Sequence, residues 1–378
     1  MRFPPRFLDE LRERVPLGEV IGRRVKLARA GRELKGLCPF HTEKTPSFHV
    51  VEDKNFYHCF GCGAHGDVFT FLMEAEGLAF PEAVEEAARR AGMALPKPDP
   101  KAQAKAEKQA DLYDVMESAT RVFQEHLGRA GGREARAYLE RRGVSRQTIA
   151  DFRLGFAPDS FSTLKEDLTA RGIKEAQMLE AGLLVQPEDG RRAYDRFRNR
   201  IIFPITDRKG RVIAFGGRAL DDNPAKYLNS PDTPLFHKGR TLYNLAGARK
   251  PAFETGRLLV VEGYTDVLSL AQAGIAHAVA PLGTALTEEQ LAELWRIVPE
   301  PVLCFDGDAA GWKAADRAID RALGLLQPGQ SLRFAMLPEG LDPDDLVRRE
   351  GAAAMQAVVE AAEPLSDMLW RMMTGGAD

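Results

Sequence analysis

The spacing of apolar positions changes character several times along the 378-residue chain. A helical pattern over residues 6–15 opens it. Short alternating runs at 25–27, 33–37, 47–51 and 56–59 then predict strands around tight turns. Helical spacing returns over 66–76 and 80–91, with Gly77 and Gly92 as stops. Pro96-Lys97-Pro98-Asp99-Pro100 and the Lys-rich tract after it show no apolar face, which predicts a flexible tether over 97–112. Amphipathic helices are expected at 111–127 and 133–142. Strands are expected at 200–206 and 211–217, joined by a turn at 207–210. From residue 258 onward strands (258–261, 276–280, 302–305, 332–336) alternate with helices near 265–273, 287–297 and 309–326. That alternation predicts a parallel sheet covered on both faces. The expected domains are therefore 1–96, 113–250 and 251–350 around the tether, with 351–378 opening a helical segment. The fold class is α/β and multi-domain.

Composition adds little until it is read locally. Apolar residues make up 44% and charged residues 28%, as in ordinary globular chains. No run of 18 apolar residues exists, so no spanning helix is expected. The first residues become charged at once, without the apolar core of an export signal. Four cysteines are too few for a disulfide framework, and the reducing cytoplasm is the expected compartment. The net charge of -3 conceals an asymmetry. Residues 191–250 carry 14 basic against 5 acidic side chains, whereas residues 251–378 carry 9 against 20. A basic stretch attracts phosphates, and clustered carboxylates tolerate phosphate only beside divalent cations. The pair suggests nucleic acid on one surface and bound cations on the next.

Three cysteines fall within 25 positions, as Cys38-x2-His41 and Cys59-x2-Cys62. Each knuckle points two ligands at one place, and tetrahedral Zn²⁺ takes four. With strands expected between the knuckles, residues 1–96 read as a zinc ribbon holding one structural ion. His65 is an alternative to His41 with poorer spacing, and His58 is expected to face away from the metal.

In the basic middle, Arg196, Arg198 and Arg200 recur every second residue and would share one face of an extended chain. Arg218 follows a Gly-Gly pair. Lys226, Asn229 and Lys238 surround a proline-flanked loop. Phosphates would be held there, with Tyr227 or Phe236 available to stack on bases. The plainer alternative is a solvated charged edge.

Acidic residues gather where the later strands should end: Glu262 and Asp266, Asp306 and Asp308, then Asp342 and Asp344. Ligands of open parallel sheets bind beyond the strand carboxyl ends. Converging carboxylates with oxygen donors alone select two or more Mg²⁺ or Mn²⁺ ions, which can clamp both oxygens of a phosphoryl transfer. Asp266 and Asp308 also suit plain helix caps.

Glu262-Gly-Tyr-Thr-Asp266 with Asp306-Gly-Asp308 resembles the Toprim motif pair. The ribbon, the RFRNRIIFP, FGGR, KYLNSP and LFHKG segments, and the Toprim motifs, in that order, resemble bacterial DnaG-type replicative primases over residues 1–350. The resemblance implies a nucleotidyltransferase, a DNA-directed RNA polymerase that makes short primers de novo from ribonucleoside triphosphates on single-stranded DNA. It implies catalytic and metal roles for Glu262, Asp306, Asp308, Asp342 and Asp344. It implies template and nucleotide binding by Arg200, Arg218, Lys226, Asn229 and Lys238. Gly283-Thr284 matches a further short Toprim-region element. The family's replicative helicase is an implied partner, although its docking domain is not in this sequence. The competing expectations are a Toprim nuclease or topoisomerase-like enzyme, and a binding module without catalysis.

Overall fold

The computed structural model describes residues 3–31, 33–96, 100–221, 224–283 and 285–374, with backbone alone at 100–107. The chain divides into two compact units at Lys105/Ala106.

In the first unit, α1 (Pro5–Arg14) and α2 (Leu17–Gly22) precede a meander of five strands, and α3 (Val68–Glu76) and α4 (Phe80–Arg90) follow it. The strands are β1 (Ala28–Ala30), β2 (Glu33–Gly36), β3 (Phe48–Val51), β4 (Phe56–Cys59) and β5 (His65–Gly66), antiparallel and in sequence order. Alternation in β3 sends Phe48 and Val50 inward. Phe48 stacks on Tyr57 at 5.2 Å, and Phe71 of α3 meets Tyr57 edge-on. Asp67 caps α3 by accepting from the Thr70 N–H and also pairs with Arg12 at 2.8 Å. The first strand starts after the expected 25–27, because Val25 is buried in the core instead of joining a ladder.

Residues 97–99 of the expected tether lie outside the described residues. From Pro100 the chain is already helical, and α5 runs over Pro100–Gly128. The tract KAQAKAEKQA is built from strong helix formers behind a proline suited to a first turn, so lacking an apolar face did not prevent helix. Next come α6 (Arg133–Arg141), α7 (Arg146–Asp151), β6 (Gly155–Ala157), α8 (Thr163–Ala170), α9 (Glu175–Glu180), β7 (Leu184–Val185) and β8 (Tyr194–Asp195). Strands β9 (Arg200–Thr206), β10 (Val212–Ala219) and β11 (Tyr227–Asn229) form an antiparallel sheet in the order β11-β10-β9-β6. Pro204 is tolerated in β9 because β6 pairs only with residues 200–202 and leaves that edge open.

After α10 (Leu245–Thr255), the order is β12 (Leu259–Val260), α11 (Tyr264–Gln272), β13 (Ala278–Val279), α12 (Glu288–Trp295), β14 (Val302–Phe305), α13 (Ala309–Leu323) and β15 (Arg333–Met336). The chain ends in α14 (Pro343–Glu350), α15 (Ala352–Glu360), β16 (Glu363–Pro364) and α16 (Leu365–Thr374). The sheet runs β13-β12-β14-β15-β16, parallel except for the β16 edge. From β12 the chain goes first to one side, to β13, and then returns to the other, to β14. That reversal opens a crevice at the carboxyl ends of β12 and β14. Asp306 follows β14 directly, and Glu262 stands two residues past the end of β12.

Candidate functional sites

Cys38 and His41 lie on the loop after β2, Cys59 ends β4, and Cys62 sits in the next turn. Their ligand atoms all fall within 4.8 Å of one another. Cys38 Sγ is 3.7 Å from Cys62 Sγ, and Cys59 Sγ is 3.8 Å from His41 Nδ1. A tetrahedral zinc site with its usual bond lengths has ligand edges of about 3.5–3.8 Å, so the four groups fit the ion with no position left open. A Cβ at Gly61 would meet His41 Nε2 at 2.7 Å, so only glycine allows this packing. His65 stays outside the set, with Nδ1 on the Gly63 carbonyl.

Glu43 braces the cage, and the sequence offered no sign of it beyond its place between the knuckles. It accepts from the Cys38 and Ser47 N–H groups at 2.8 and 3.1 Å and from the Ser47 hydroxyl. The two N–H groups bond Oε1; Oε2, which takes the Ser47 hydroxyl, lies 3.4 Å from His41 Nε2, opposite the metal-facing nitrogen. A carboxylate there fixes the ring orientation and raises ligand basicity.

The acidic crevice is built differently. Asp308 caps α13 by accepting from the Ala310 and Gly311 N–H groups, and Asp342 caps α14 by accepting from the Asp345 N–H. Asp266 is buried and accepts from the Gly263 N–H at 2.8 Å. The cap reading of Asp308 thus holds, and each cap leaves oxygen lone pairs free. Burial, then Glu262, Asp342 and Asp308, push the Asp306 carboxyl up to about 6. Lost hydration and then Asp308 hold Glu262 above the usual carboxylate range. Burial, then Asp342, raise Asp266 well above it. These acids therefore share one field. Among the described residues, however, only the Cys/His set has its ligand atoms gathered to metal distance. The donors are all oxygen and mutually repelling, which is the chemistry a divalent cation relieves.

Asp344 differs from the others. It is buried, and its Oδ2 pairs with Arg142 of the α6 end at 3.0 Å. Arg142 also donates to the Tyr138 hydroxyl. The expected metal role of Asp344 thus competes with an ion pair that sequence reasoning missed, because its partner lies two hundred positions away.

On the basic side the expected shared face of Arg196, Arg198 and Arg200 does not form. Asn199 takes a left-handed φ of 49°, and residues 196–199 are irregular, so the three side chains diverge. Arg200 is buried and donates to the Gly217 and Lys226 carbonyls. Arg198 lies over the rings of Phe161 and Tyr194 at 4.5 and 5.1 Å. Arg218 lies over Tyr138 at 4.6 Å. Arg196 Nε and Arg218 Nε are buried without acceptors. Lys226 is exposed, and Lys238 is half-buried. Asn229 is tied down: it donates to the Leu282 carbonyl at 2.9 Å and accepts from the Tyr264 hydroxyl at 2.6 Å. It thereby joins β11 to the motif that carries Glu262. Thr284 lies outside the described residues. A cavity of about 1070 Å³ is lined by Phe161, Lys165, Arg191, Arg192, Tyr194 and Arg198. Phe161 is 64% exposed there, although sequence reading gave this aromatic no role.

Comparison with known proteins agrees with this layout. Family models match for a CHC2 zinc finger over residues 3–103, a DNA primase catalytic core N-terminal domain over 122–249, and a Toprim domain over 256–334. The structure of the zinc-binding and RNA polymerase domains of Aquifex aeolicus primase is 35% identical, with a TM-score of 0.63. It covers 96% of this chain and 87% of that one. The chain belongs to the DnaG-type primase family. A DnaG primase catalytic domain solved bound to single-stranded DNA is 44% identical, with a TM-score of 0.67, over 72% of this chain and 85% of that one. The Pseudomonas putida DNA primase is 46% identical across 99% of this chain. The chain spans 57% of that relative's length. Family membership supports a structural Zn²⁺ in the Cys/His cage and divalent cations at the Toprim crevice. No helix among the described residues is long and apolar enough to cross a membrane.

Proposed function

We propose that this chain is the initiating RNA polymerase of a bacterial primase: it joins ribonucleoside triphosphates into short primers on single-stranded DNA. The observation that carries the reading is the acidic crevice at the β12/β14 switch, tied through Tyr264 and Asn229 to the edge of a basic sheet.

Glu262, Asp306, Asp308 and Asp342 would hold the cations, using oxygens left free by the helix caps. The ions supply a lowered pKa for the attacking 3′-hydroxyl and charge stabilisation at the attacking and leaving oxygens. Asp344 keeps Arg142 oriented toward the same crevice. Arg218, Lys226 and Lys238 hold the triphosphates. Asn229 positions Tyr264 and the loop at Leu282, and Arg200 braces β9 against β10. Template strands lie along Arg192 and Arg198, with Phe161 and Tyr194 as stacking surfaces. The zinc ribbon provides a second hold on template. We also infer a cytoplasmic place at the replication fork beside the replicative helicase, for which family membership is the support.

The test is incubation with circular single-stranded DNA, Mg²⁺ and labelled ribonucleotides. Short RNA products on intact circles are expected. Linearised circles without RNA would instead favour the Toprim nuclease reading, and relaxation of a supercoiled plasmid in a parallel reaction the topoisomerase reading.

A further inference from the structure

A second opening adjoins the acidic crevice on the α13 side. It is a cavity of about 280 Å³ floored by Val260, Leu303 and Ala318 and roofed by Leu286. Glu262, Arg317 and Arg321 line it as well. The two arginines are four residues apart on α13 and so share a helix face. Arg321 donates to the Leu286 carbonyl, which fixes the roof to the helix. Arg317 is exposed; among the described residues no carboxylate lies within ion-pair distance of it, and its charge acts on Glu262 across the mouth. Of this lining the nucleotidyl-transfer reading uses Glu262 alone, and leaves the apolar walls and both arginines without a role.

We propose that the cavity between β12, β14 and α13 binds a small anion with a flat, apolar body. The aliphatic floor favours a hydrocarbon or aromatic body. A nucleobase and ribose would bring several polar edges against Val260, Leu303 and Ala318, and burying them without partners is costly. Arg317 supplies the charge for a carboxylate, sulfonate or phosphate at the mouth. The occupant stands beside Glu262, so on the primase reading its presence slows synthesis. Binding itself does not depend on that reading.

The experiment titrates the full zinc-loaded chain with the anionic naphthalene dye ANS and follows its fluorescence. Saturable binding of one dye per chain is expected. Arg317→Gln should weaken it about tenfold, the loss of one charge-assisted contact. Ala314→Phe should abolish it by filling the hollow from α13, with an unchanged melting temperature showing that the variant folds. Excess ATP should leave the dye in place. Displacement by ATP would make the cavity part of the substrate site and overturn the proposal. So would dye binding that survives both substitutions, or no saturable binding. A dye that binds as expected without slowing RNA synthesis overturns only the regulatory consequence. A chain without synthesis that still binds the dye leaves the cavity assignment standing and removes the primase reading.

Discussion

In the zinc ribbon, four ligand atoms lie within 4.8 Å, held by a glycine that admits His41 and a carboxylate that braces the loop. In the Toprim crevice, the carboxylates influence one another, yet Asp308 and Asp342 are also held as helix caps, Asp266 by a backbone N–H and Asp344 by an arginine. The first arrangement is closed around its metal and has no room for substrate. The second holds its acids apart, mutually repelling and partly free, so that bound metal and triphosphate would complete it together. Local geometry separates a metal that supports folding from metals that support chemistry.

The comparison is most easily broken at the cage. Cys59→Ser should lose zinc and unfold the first unit. Apparent binding free energies of such sites are about 10 kcal/mol or more, and they are folding free energies. Zinc content and circular dichroism of the full chain would show this, and Asp306→Asn should leave both unchanged. A Cys59→Ser chain that keeps its zinc would show that the cage is not the metal site.

At the crevice, Arg142→Ala should lower the stability of the second unit by about 1–2 kcal/mol in urea unfolding, because buried Asp344 is left with only the longer 4.0 Å pair to Arg348. A loss below about 0.5 kcal/mol would mean that Asp344 finds another partner. Glu43→Ala should weaken zinc affinity about 10–100-fold in competition with a chelator while the four ligands stay in place. Unchanged affinity would reduce Glu43 to a loop contact.

The smallest effect concerns pH. An ionised Asp306 is opposed in the folded state, where its carboxyl titrates near 6, and not in the unfolded chain, where it titrates near its ordinary value. The folded state therefore holds the proton longer. Its contribution to stability falls as pH rises from about 4 to about 6 and is flat above. Asp306→Asn should remove that slope and gain about 1 kcal/mol at neutral pH, after allowance for partial exposure. Denaturant midpoints of the two proteins across that window test it, and parallel curves would contradict it.

How much was legible beforehand follows from where each signal resides. The zinc ligands could be read because paired two-residue spacings constrain geometry locally. The alternation after residue 258 gave the parallel strands, and so the ends on which Glu262 and Asp306 stand. What escaped reading was set by distant partners or by backbone detail. Arg142 matters because Asp344 lies opposite it. Arg196, Arg198 and Arg200 diverge because Asn199 turns the chain. Phe161 joins Tyr194 and Arg198 only after folding. The helix expected at 111–127 starts earlier, at Pro100, and those first turns were hidden because propensity rather than an apolar stripe extends them.

The central claim is that acids at the ends of two adjacent strands act as one site. The direct measurement is Mg²⁺-dependent ribonucleotide incorporation by the wild type, Glu262→Gln, Asp306→Asn and the double variant, with DNA affinity and zinc content measured alongside. Each single variant should lose about a thousandfold or more, and the double should be no worse than either, because groups acting as a unit are strongly non-additive. Synthesis surviving in either single variant, or losses that multiply in the double, would contradict the claim.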